Sequence, residues 1–144
     1  MRVWLYTNAI ALVATWLEIM WTTPSGPSSY DLSQSPLGDL PLYSIPVIVL
    51  ASVSLWVFRR RPNALMAAIL AIVTGGLLVE YWLSINYDEF ASRVAAWSTW
   101  TDEEIWQEVY SRSLAPITVC ALTVTAGLYG ILRFSIRLGV TRPA

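Results

Sequence analysis

Two carboxylates interrupt otherwise apolar runs: Glu18 in 15-TWLEIMWTT-23 and Glu80 in 79-VEYW-82. If the two faced each other inside a helix bundle, they would share a proton or hold a cation. If instead each lay close to a water boundary, it would reach solvent and pair with a basic side chain, for which Arg93 and Arg112 are the nearest choices. Both readings are open on the residues alone.

Other chemistries are closed. All nine basic residues are arginine and the chain has no histidine, which leaves no conventional haem ligand, no His-containing zinc site and no histidine general base. Cys120 is the single cysteine; it cannot form an intrachain disulfide, and its apolar neighbours predict an inert buried thiol. A phosphate-cradling glycine loop, an HExxH pair and a Ser-His-Asp set are all missing. The expectation is a chain that is not an enzyme, with no cofactor, no metal and no nucleic-acid partner.

The elements that position Glu18 and Glu80 follow from hydropathy. With 56% hydrophobic residues, 13% charged residues and a mean hydropathy of +0.53, the chain lies outside the range of soluble domains, which carry about 25% charged residues. Four apolar runs, 3–22, 40–58, 64–84 and 114–134, are each long enough to cross about 30 Å of hydrocarbon. They predict an all-α integral membrane protein, a four-transmembrane-helix bundle forming a single membrane domain over 1–144. The first run is too long for a secretory signal and lacks an A-x-A site, so it reads as a retained anchor. Pro46 and Pro116 are expected near the starts of the second and fourth spans, where a missing N–H costs least.

Of the connections, 23–39 is Pro/Ser/Gly-rich and predicts irregular structure. The segment 85–113 predicts short amphipathic surface helices in the outer loop. Phe90, Val94 and Trp97 share one face, and Thr101 with Glu104 spells a capping box before Ile105, Trp106, Val109 and Tyr110. Such helices are expected to lie on the bilayer or against a partner.

Charge orients the bundle. Arg2, the topology anchors Arg59, Arg60 and Arg61 in the short loop 59–63, and Arg133, Arg137 and Arg142 at and within the tail 135–144 fall on one side, without acidic company. By the positive-inside rule that side is cytoplasmic, which places both termini on the cytoplasmic side of a cell membrane. Within the bundle, Ala67, Ala71 and Gly75 of the third span and Ala126 and Gly130 of the fourth make small-residue faces that predict close contact, with Thr7, Asn8, Ser52 and Ser54 as interhelical hydrogen-bonding groups. The likeness of 17-LEIMW-21 to 79-VEYW-82, together with Pro46 and Pro116, also suggests two hairpins in parallel repeat.

Trp97, Trp100, Trp106 and Tyr110 crowd the outer segment, either as an interfacial aromatic belt or as a face on which a partner docks. The leading functional expectation is an accessory or structural subunit of a larger membrane complex, with energy-transducing assemblies among the classes it fits; its partners would be lipids and other membrane subunits or further copies of itself. The alternative is a small proton- or cation-coupled transporter or channel using Glu18 and Glu80.

Overall fold

The computed structural model describes residues 2–22, 36–93 and 99–138. They form four helices and no strand: α1 (Arg2–Thr22), α2 (Pro36–Arg60), α3 (Ala64–Arg93) and α4 (Asp102–Arg137). All four are long and apolar enough to cross a membrane. Most of the outer loop 23–39, Val94, Trp97 and the end of the tail lie outside the described residues.

Side-chain pairs fix an up-down-up-down bundle. Trp4 Nε1 donates to Ser52 Oγ and Trp16 Nε1 to Ser44 Oγ, both at 2.9 Å, so α1 and α2 run antiparallel. The hydroxyls of Ser54 and Thr74 meet at 2.7 Å between α2 and α3. Across the diagonal, Trp82 Nε1 donates to Thr15 Oγ1 at 3.0 Å, joining α3 to a parallel α1. The expected interhelical role of Ser52 and Ser54 is met. Thr7 and Asn8 instead donate to carbonyls one turn back in their own helix, those of Val3 and Trp4.

The inner face of α1 is small or polar, with Thr7, Asn8, Ala11, Ala14, Thr15, Glu18, Ile19 and Thr22 buried, while Leu5, Val13, Leu17, Met20 and Trp21 face outward. That inversion of the soluble pattern is what a bilayer requires: outward leucines cost nothing against lipid tails, and cohesion must come from close packing and hydrogen bonds. Leu55, Phe58, Ala67 and Leu132 close the end that bears Arg59, Arg60 and Arg61. The alternating helix directions bring Arg2, Arg133 and Arg137 to that same end.

Two expectations about helix ends need correction. The residues assigned to short surface helices, 85–93 and 102–113, are continuous extensions of α3 and α4. The physical reason is mutual burial: Phe90 packs against Ile105 and Val109, so the apolar sides meant for a lipid surface cover each other. The capping box forms as expected, with Glu104 N–H donating to Thr101 Oγ1 and Thr101 N–H to Glu104 Oε2, and it opens α4 itself. Pro46 and Pro116 therefore lie inside helices rather than at their starts, as does Pro41. Pro36, at the first position of α2, sits where the missing donor is harmless. Membrane helices tolerate interior proline because neighbouring groups re-satisfy the freed carbonyls.

The small-residue faces are half as expected. Ala67 and Ala71 are buried, and a Cβ added at Gly75 would collide with the Thr125 hydroxyl and approach the Ala121 carbonyl of α4 to 3.8 Å. On α4, Ala126 is exposed and a Cβ at Gly130 would meet open space, whereas Gly127 packs against Ile10 of α1. Gly75→Val is accordingly expected to cost about 1–3 kcal/mol as an overpacking change, and Gly130→Val close to nothing, in reversible unfolding from mixed micelles.

Candidate functional site

Glu18 faces into the bundle and is fully buried, at 0% exposure. Its depth follows from the helix rise: sixteen residues separate it from Arg2, or about 24 Å, roughly one turn short of the far edge of the hydrocarbon. There α3 presents Asn86 and α4 presents Ser113, both buried. Asn86 Nδ2 donates to Glu18 Oε1 at 2.8 Å and to Ser113 Oγ at 3.0 Å, and Asn86 Oδ1 accepts from the Thr22 hydroxyl at 2.8 Å. Both amide hydrogens of Asn86 are thus engaged, and one asparagine ties three helices together.

Glu18 Oε2 is shielded from solvent and has no hydrogen-bond partner. Buried polar atoms are otherwise nearly always paired, so an orphan of this kind calls for a specific explanation. Of the two arginines expected to compensate Glu18, Arg112 does not. Arg112 pairs with Glu108 one turn earlier in α4 and lies over the Phe90 ring, and the side chain of Arg93 is outside the described residues.

The structure does not bring Glu80 to Glu18. Glu80 is exposed on the outer side of α3. At 100° per residue, Glu89 stands half a turn around the helix from Glu80, and Glu89 is the α3 carboxylate that turns inward, 5% exposed, accepting from Tyr43 Oη at 2.6 Å. Nor do the two echoing motifs take equivalent places: Trp21 is 61% exposed and Trp82 wholly buried.

Of the outer aromatics, Trp106 stacks on Tyr87 with ring centroids 4.5 Å apart and lies 5.5 Å from Tyr110. Trp100 leans on Phe90 at 5.4 Å. Trp100 and Tyr110 remain exposed, and Trp97 lies outside the described residues. Cys120 is buried and free, as expected.

A second feature lies on the outside of the bundle. Between α1 and α4 runs an apolar groove of about 830 Å³, lined by Tyr6, Val13, Leu17 and Trp21 on one side and Val119 and Thr123 on the other. From Tyr6 to Trp21 it extends about 22 Å along the membrane-crossing direction.

Sequence reasoning overlooked Asn86, Ser113 and Glu89. A signal for two of them was present: the small-residue stripe of α3, Ala67, Ala71 and Gly75, continued at helical spacing, passes Leu78 and Trp82 to reach Asn86 and Glu89. No family model, no curated protein and no solved structure matches this chain.

Proposed function

We propose that the chain is a non-catalytic multi-pass membrane protein that serves as a subunit of a larger membrane assembly, with its arginine-bearing end and both termini on the cytoplasmic side of the cell membrane. The observation that carries this reading is the apolar groove between α1 and α4. It runs along about three quarters of the hydrocarbon thickness and is lined by α1 and α4 alone, so a helix of another chain can lie along it. The outward Glu80 supports the same reading, because a carboxylate turned away from its own bundle near the hydrocarbon edge is relieved by a neighbour's donor as well as by water. Trp100 and Tyr110, exposed where α3 and α4 meet, have the character of interface anchors.

Purification in mild detergent with mass spectrometry of co-eluting chains tests this. A stoichiometric second chain is expected, and Val13→Trp, which fills the groove, is expected to weaken its retention by more than about 1 kcal/mol, as is Trp100→Ala. Isolation as a lone monomer or as a homodimer would sink the subunit reading.

A further inference from the structure

Glu18 and Glu89 are both buried carboxylates at the same end of the bundle, yet they are treated differently. Glu89 accepts from Tyr43 of α2. Glu18 has one oxygen on Asn86 and the other on nothing. An ionised carboxylate held away from water with half of its acceptors empty is strongly disfavoured, and no described arginine forms an ion pair with it.

The group that meets the carboxylate is the Asn86 amide nitrogen, on Oε1. Asn86 is in turn held by the Thr22 and Ser113 hydroxyls, so residues from three helices gather beside Glu18, and all four residues are at most 9% exposed. A single buried carboxylate with one open oxygen suits a ligand of one positive charge; a divalent ion would want more carboxylates. The titratable neighbours are Cys120 on α4 and Glu89 one turn further along α3 with Tyr43 of α2 against it. None of these supplies a cation.

We propose that Glu18, held at Oε1 by Asn86 with Thr22 and Ser113 behind it, is a site for a single positive charge, a proton or an alkali cation, taken up at the open Oε2 near the outer edge of the membrane. This goes beyond the subunit reading and stands whether or not a second chain is found. It also needs no contribution from Glu80.

The test uses the full chain in lipid nanodiscs. Dicyclohexylcarbodiimide, an apolar reagent that modifies carboxylic acids and spares carboxylates, is applied in choline chloride and in NaCl or KCl, and adducts are located by peptide mass spectrometry. Modification of Glu18 in choline that falls several-fold in Na⁺ or K⁺ assigns an alkali cation; modification indifferent to these salts assigns a proton. Isotope-edited infrared spectra of ¹³C-glutamate protein, with Glu18→Gln as the reference, give a second readout that does not depend on reagent access. A carboxylic-acid band or a Na⁺- or K⁺-dependent carboxylate band is expected, absent from Glu18→Gln. If that variant does not fold, the adduct map of the unaltered protein decides. An unmodified Glu18 whose carboxylate band ignores Na⁺, K⁺ and pH would overturn the proposal and leave a water molecule on Oε2.

Discussion

Asn86→Leu is expected to destabilise the bundle by about 2–4 kcal/mol, because it removes three interhelical hydrogen bonds, each worth about 0.6 and at most about 1.7 kcal/mol in membranes, and strands the groups that made them. Glu18 then has both oxygens unpaired in the interior, and Thr22 and Ser113 lose their shared partner. Glu18→Gln keeps an acceptor for Asn86 and is expected to cost far less. Combining Glu18→Leu with Asn86→Leu should recover part of the loss, giving a coupling energy of about 1 kcal/mol or more in a double-mutant cycle followed by reversible unfolding. Strict additivity of the two single changes would mean that the 2.8 Å contact between them carries no energy.

The second large effect is expected at Trp82. Its ring is wholly buried among Ala11, Ala14, Leu78 and Val124, and its N–H is used by Thr15. Trp82→Ala is expected to cost about 3 kcal/mol, the lower end for a buried tryptophan, since lipid and bundle interior are equally apolar and only packing and the hydrogen bond are lost. Trp21→Ala, at the tryptophan that closes the first echoing motif, is expected to change stability by less than about 0.5 kcal/mol, because that ring faces out. Equal effects at the two positions would restore the idea of two equivalent hairpins.

The spans were legible because hydrocarbon imposes a composition that survives any detail of packing. The Thr101–Glu104 box was legible because it is a contact over three residues. The far ends of α3 and α4 were not. The polar run from Asn86 through Glu89 marks where the chain leaves hydrocarbon, and leaving hydrocarbon reads the same in sequence as ending a helix. Rotational phase was lost for a related reason: in a span apolar on every side, no hydrophobic stripe says which way Glu80 points. The phase of α3 was carried by its small residues, and these were used for contact alone. Trp4, Trp16 and Trp82 taught a similar lesson. Tryptophans in apolar runs also act as donors to serine and threonine hydroxyls on other helices.

The unequal helix lengths have a mechanical consequence. At 36 residues α4 is about 54 Å long, against about 40–45 Å for a whole bilayer with its headgroups. The helix is thus about 10 Å longer than the bilayer is thick, and its Thr101 end is zipped to the end of α3 by Phe90, Ile105 and Val109 as a short mast stepped in the bundle. Trp106 on that mast lies seven residues, about 10 Å, above Ser113, with unbroken helix between them. A sideways load on the mast is thus levered directly onto Ser113 and Asn86, and so onto the hydrogen bond that holds Glu18, although whatever applies the load never touches it.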